Sequence, residues 1–174
     1  MYTSSHRSGR SGIYFGEITG VDNQNYNVTA TIISVDTLDL GYPNLSWVGE
    51  GALGSQSILS FEHTGENRFP GISTLFYADE EFSDIISVKE GIGNLVVLSD
   101  SVERWGDYFG SQPVYNRNGK IWIAGTYGNA NNRHQTWIAQ LDNPYGAETS
   151  VQPVQSTLSM NVFPNPANEL VYLM

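Results

Sequence analysis

Glu62, Arg68, Arg104, Asp107 and Tyr108 are the side chains of this 174-residue chain whose types and placement could serve a ligand. A planar guanidinium grips a carboxylate with two parallel hydrogen bonds. A nearby carboxylate steadies a developing positive charge or carries a proton. Arg10, Arg68 and Arg104 open three segments that echo one another, "RSGIYFG", "RFPGIS" and "RWGDYFG", and Tyr14 and Glu62 lie close by in sequence. If those segments are copies of one unit, the arginines would converge on a shared face. The preferred assignment is plainer: each arginine pairs with an acidic neighbour or a main-chain carbonyl and ties one unit to the next, with Asp107 beside Arg104 as the local case. The five residues are therefore candidate ligand-binding positions, and no catalytic residue is assigned.

Other chemistry is weakly represented. His6, His63 and His134 show no i, i+4 pair and no carboxylate at ligand spacing, so no metal site is expected. "DNQNYN" at Asp22 lacks the glycine and the distal glutamate of a calcium loop and reads as a solvated hairpin turn. No phosphate-cradling glycine loop or G-x-S-x-G elbow occurs, and no cofactor is expected. With no cysteine, disulfides, thiolate ligation and thiol catalysis are absent. Trp105, Trp122 and Trp137, with Tyr108, Tyr115 and Tyr127, crowd the last third of the chain; stacking on sugars is one use for them, and packing between sheets is the preferred one.

The elements that would position these residues are strands. Aromatics make up 12% and charged residues 15%, with 18 glycines and 7 prolines, a turn-rich all-β composition. Strand-like segments recur: "GIYFGEIT", "YNVTATIISV", "LSWVG", "QSILSF", "ISTLFYA", "DIISV", "NLVVLS", "KIWIAGTYG" and "QTWIAQL". The helical period is never sustained for three turns. Asn118-Gly119 is the best tight-hairpin signal. Propeller blades repeat at roughly 40 to 50 residues, and Arg10 and Arg104 stand about two such periods apart, Ile32 and Ile85 of the two "IISV" segments about one. From Asn143 to residue 158 two prolines and small polar residues mark a linker. The division expected is thus residues 1–143, a β-propeller fragment; 144–158, the linker; and 159–174, a separate terminal segment.

Eight basic and eighteen acidic residues give a net charge of −10, which argues against nucleic acid as a partner. No apolar run is long enough to span a bilayer, and "MYTSSHRSGR" holds no secretory signal.

The terminal segment "VFPNPANELVYL" resembles the opening of the C-terminal sorting domain of the type IX (Por) secretion system, V-Y-P-N-P-A-x-[DE]-x-[VLF]. The matching residues are Val162, Phe163, Pro164, Asn165, Pro166 and Ala167, continuing through Asn168, Glu169 and Leu170 to Val171. Pro164 and Pro166 fix φ and remove two amide donors, setting a rigid turn between strands. Members of that family continue for several more strands, so the chain is expected to be an internal piece of a longer protein. A second resemblance covers Gln56 to Leu141: "RFPGIS" and "RWGDYFG…TWIAQL" are similar to the later blades of secreted sialidase-like β-propellers. That family includes glycosidases, but the repeat S-x-D-x-G-x-x-W of true sialidases is missing.

The resemblances imply a secreted or outer-membrane-surface bacterial protein that engages the type IX secretion machinery. Its expected role is binding of a glycan or a surface protein. Sialidase-like glycoside hydrolysis, using an arginine cluster, a Tyr-Glu pair and an acidic aspartate, is the alternative, and a spacer without a ligand site is the third.

Overall fold

The computed structural model describes residues 2–5 (main chain only), 9–51, 54–98 and 103–145. Among the described residues there are eleven strands and no helix: β1 (Tyr2–Ser5), β2 (Ser11–Thr19), β3 (Asn27–Ile33), β4 (Asp39–Gly51), β5 (Gly54–Gly65), β6 (Arg68–Ala78), β7 (Glu81–Phe82), β8 (Ile86–Lys89), β9 (Gly110–Pro113), β10 (Lys120–Gly128) and β11 (His134–Asp142). The expected linker beyond Tyr145 and the sorting segment, Val162 to Ala167 included, lie outside the described residues.

The strands pair antiparallel into three sheets. β1-β2-β3 form an N-terminal sheet, β4-β5-β6 with β7 and β8 along the far edge of β6 a central one, and β11-β10-β9 a C-terminal one. The all-β expectation holds. The sheets are open, with three, five and three strands where a regular propeller blade has four.

Alternation explains the stacking. Odd-numbered residues of β5 and β6, Leu59, Phe61 and Leu75, join Leu38, Leu40 and Ile13 in a cluster against the N-terminal sheet. Even-numbered Ile58, Ile72 and Phe76 join Val48, Ile121 and Ile123 against the C-terminal sheet. Both faces of β5 and β6 are therefore covered, and burial along them is nearly continuous. β4 serves both clusters because of a bulge between Gly41 and Asn44. Leu40 ahead of it faces the N-terminal sheet, whereas Ser46 and Val48 beyond it face the C-terminal one. Pro43, with no amide to donate, sits at the bulge, and Tyr42 takes a positive φ of 52°.

Four sequence expectations need correction. The described part of "NLVVLS", residues 94–98, is not a strand: the Val97 and Leu98 amides donate to Glu103 Oε2, each at 2.9 Å, and Val96 N–H to the Asn132 carbonyl at 3.0 Å, so local acceptors replace a neighbouring strand. Asn118-Gly119 lies in the β9–β10 connection, but that connection runs over residues 114–119, with positive φ at Asn116 and Gly119 and not at Asn118. The echo at Arg104 is not structural either, since "RSGIYFG" and "RFPGIS" enter strands whereas "RWGDYFG" forms a loop and turn before β9. Finally, the aromatic residues of the last third are mostly not core. Tyr127 is buried, whereas Trp122, Tyr108 and Tyr115 are exposed because they occupy outward strand positions and turns, and Trp137, opposite Gly125 on the inner face, is left half-exposed beside Lys89.

Candidate functional site

β5 brings Glu62 and His63 to adjacent positions that face opposite ways. Glu62 is 1% exposed. Its Oε1 accepts the main-chain N–H of Thr126 in β10 at 2.7 Å, a bond that joins the central and C-terminal sheets, while its Oε2 is buried without a partner. Gly106, at φ +84°, passes directly over this carboxyl; a Cβ there would run into both Oε2 and the Tyr42 ring. Tyr42 in turn meets Trp105 edge-on, with ring centroids 6.2 Å apart. Burial pushes Glu62 up to about 7, the Thr126 N–H works against that shift, and the charge of Asp107 adds to it. Burial, with the charges of Asp107 and Glu62, likewise raises Tyr42.

His63 is fully buried on the other side. Its Nδ1 lies 2.8 Å from Ser73 Oγ, and its Nε2 is 3.7 Å from Glu90 Oε2, beyond hydrogen-bond reach. Burial pulls the imidazole down to about 4 and the neighbouring Arg68 charge assists, so the ring is neutral and shares its Nδ1 hydrogen bond with the Ser73 hydroxyl. Serine, histidine and glutamate stand here in the chemical order of a nucleophile relay, yet Ser73 and His63 are both sealed from solvent, and the group ties β5 to β6. Gly71 makes room for the ring: a Cβ would lie 2.9 Å from His63 Nε2 and 2.5 Å from the Lys89 carbonyl.

Arg68 donates to Glu90 through Nε at 3.0 Å and through a second nitrogen. Its hydrogen bond holds Glu90 down at about 2. Arg104 pairs with Asp107 at 2.8 Å on an exposed loop, the local pair expected from their spacing. Arg10 donates to Asp39 and to Glu66, both at 2.9 Å, and Asp39 also accepts the Ser11 N–H at 2.8 Å. Burial works to raise Asp39, but these bonds outweigh it and hold the carboxyl below its ordinary value. Arg10 thus clamps the N-terminal sheet to the central one.

The five sequence candidates are consequently split among three places. Glu62, Arg104 and Asp107 share the neighbourhood of the Gly106 loop. Tyr108 follows them in that loop but is 95% exposed and lies beside Trp122 on the outer face of the C-terminal sheet. Arg68 belongs to a separate concavity of about 570 Å³, part polar and part apolar, where the β3–β4 and β5–β6 connections meet over Val35 and Leu38. Arg10, Asp36, Thr37, Glu66, Asn67 and Arg68 line it. Tyr42, Thr126 and the His63–Ser73 pair were not legible as site residues. Pro43 beside Tyr42 hints at an irregular strand, but nothing in the sequence pairs positions 42 and 106.

No family model, no curated protein and no solved structure matches this chain.

Proposed function

We propose that this chain is part of an exported bacterial recognition protein of sialidase-like propeller type, which binds a glycan in the Arg10–Arg68 concavity and carries a type IX sorting signal. The observation that carries binding is the concavity itself, a space of about 570 Å³ lined by polar side chains together with Val35 and Leu38. Arg10 and Arg68 are each already paired with carboxylates, so an acidic sugar gains no free guanidinium there. Asn67, Thr37 and Asp36 offer hydrogen bonds suited to a neutral polyhydroxyl ligand. Three antiparallel sheets stacked through apolar faces support the propeller reading.

Hydrolysis is the weaker reading. Glu62, the carboxyl poised near neutrality, lies sealed beneath Gly106, and Arg68 and Arg104 are held by different carboxylates on different elements. A screen of the full chain against neutral and sialylated oligosaccharides, run beside a fluorogenic sialoside assay, tests the choice. Binding to neutral glycans that weakens about fivefold on Asn67→Ala, the worth of one hydrogen bond, is expected. Turnover lost on Arg104→Ala would overturn the binding reading, and neither binding nor turnover would leave a spacer. The address is tested separately: the full-length parent protein without Val162 to Met174 should stay in the periplasm of a type IX-competent host, and normal secretion of it would refute the sorting assignment.

A further inference from the structure

The segment 104–108 carries Gly106 over the Glu62 carboxyl on its way to β9. Its two ends are anchored. Glu103 accepts the Val97 and Leu98 N–H groups, each at 2.9 Å. The Phe109 carbonyl accepts the Asn44 amide at 3.1 Å, and the Phe109 ring packs so closely on Gly125 that a Cβ there would lie 2.6 Å from it. Between the anchors the bonds are internal: Arg104 donates to Asp107 at 2.8 Å, and the Phe109 N–H to the Gly106 carbonyl at 3.3 Å. Among the described residues, no hydrogen bond joins 104–108 to either sheet. What the segment touches is the Tyr42 ring, through Trp105 and Gly106, and Glu62 Oε2, which is buried against Gly106 without a donor.

We propose that residues 104–108 form a flap that lifts from the sheets when Glu62 gives up its proton, admitting water to the carboxylate between β5 and β10.

Solvation drives the movement. One oxygen of an ionised Glu62 keeps the Thr126 N–H, but the other would hold its charge against a glycine backbone and an aromatic ring. Burying an unpaired charge is far costlier than burying a neutral carboxyl. The strand beneath is fixed, because Glu62 is paired with Gly41 on one side and Ile72 on the other. The cover turns more easily, since Gly106, at φ +84°, accepts either hand of backbone at little cost.

The surrounding charges act in the same direction. Asp107 is part of the flap, and its charge opposes ionisation of Glu62. Arg104 is taken up by Asp107. From β4 the facing group is Tyr42, which burial and the charges of Asp107 and Glu62 keep above its ordinary value and so neutral. From β8 Lys89, opposite Ile72, sets its ammonium 4.6 Å from the ring centres of Tyr127 and Trp137. Among the described residues no cation is thus left to pair with an ionised Glu62. His63, next along β5, faces the other way and stays buried when the flap lifts.

That last point separates flap opening from unfolding. Closed, Glu62 ionises near 7, and with water on it near its ordinary 4.5. Between those values opening releases a proton, so the open fraction should rise about tenfold for each pH unit and level off above about 7. Unfolding also frees His63, whose change from about 4 to 6.5 gives the opposite slope and leaves global stability nearly flat from 4.5 to 6.5.

Amide hydrogen exchange on the full chain from pH 5 to 8, corrected for the intrinsic dependence on pH, tests this. The Phe109 N–H, whose bond to Gly106 breaks when the flap lifts, should lose about thirtyfold in protection between pH 5 and 6.5, while the amides of β5 and β6 keep theirs. Glu62→Gln, which cannot ionise, should flatten the Phe109 profile. Asp107 is exposed, so Asp107→Asn leaves the fold intact, and it should make the profile level off at a lower pH than in the wild type. A flat Phe109 profile in the wild type, or an equal loss across β5 and β6, would overturn the proposal. So would an unchanged slope in Glu62→Gln or a levelling point unmoved by Asp107→Asn.

Discussion

Glu62 and His63 are neighbours in β5, and the two faces of the central sheet that they look onto are built differently. The face toward the N-terminal sheet is an apolar cluster fastened at its rim by Arg10 with Asp39 and by the Tyr77 hydroxyl, which donates to Glu17 at 2.9 Å. The face toward the C-terminal sheet threads polar contacts through its apolar cluster. Ser46 meets Ser111 at 2.7 Å, the Asn44 amide donates to the Phe109 carbonyl at 3.1 Å, and Glu62 accepts from Thr126. One contact is sealed with charge outside it, and the other contains a carboxyl group. Each face should therefore fail under a different insult.

Emptying either apolar cluster is the largest disturbance. Phe61→Ala, on the first face, should lower stability by about 3–5 kcal/mol, and Ile123→Ala, on the second, by about 2–5 kcal/mol, as read from urea unfolding. Loss of well under 1 kcal/mol at either site would mean that its cluster does not hold the sheets together.

Proton binding separates the faces more sharply. Unfolded, Glu62 ionises near 4.5, and folded near 7. Between those values the folded chain keeps a proton that the unfolded chain has released, so this group's contribution falls as pH rises and is gone above about 7. His63 runs the other way. It takes up a proton near 6.5 when unfolded and near 4 when folded, so its contribution falls as pH drops through that window. From 4.5 to 6.5 the two slopes oppose one another, and wild-type stability should be nearly flat. Glu62→Gln should unmask stability that rises with pH, by as much as about 1.4 kcal/mol per pH unit, and His63→Gln stability that falls by a similar amount. Measuring both by urea unfolding above pH 4.5 avoids the window in which Glu90 titrates, since its folded value of about 2 makes its contribution disappear only below that point. Parallel slopes in the two variants would erase the distinction between the faces.

Gly106→Ala would force a side chain onto Glu62 and Tyr42 from a left-handed backbone, with an expected loss of about 1–3 kcal/mol. The smallest effect belongs to Lys89, whose ammonium sits 4.6 Å from the ring centres of both Tyr127 and Trp137 and so links β8 to the C-terminal sheet. Lys89→Met should cost about 0.5–1 kcal/mol, and no change in a urea titration would show that solvent already replaces the contact.

The strands were legible because β-branched and aromatic residues recur between turn formers, as in "KIWIAGTYG" and "QTWIAQL", which became β10 and β11. The Arg104–Asp107 pair was legible because it is local. What could not be read depends on distant partners. Trp122 looked like core because its strand is apolar on both sides, and only the stacking order shows that one side has no neighbour among the described residues. Arg68 and Arg104 looked equivalent because their segments echo, but one segment enters β6 while the other turns beneath Tyr42. The separation of Glu62 from Arg68 follows from strand parity and from a register shift between His63 and Gly65 where β5 pairs with β6, which no residue pattern in β5 records.

The bulge at Gly41–Asn44 makes β4 a strand with two phases, and insertions or deletions there would act differently from substitutions. Losing one residue between those positions would remove only the extra residue, so Gly41 would still face Glu62, Asn44 would still face Ser60, and the side chains on either side would keep their faces. Leu40 would stay toward the N-terminal sheet, and Ser46 and Val48 toward the C-terminal one. The same loss in the regular stretch from Asn44 to Trp47 would turn the residues after it to the other face and undo one sheet contact while sparing the other, so the pairing tolerates a change of length at the bulge and not beyond it.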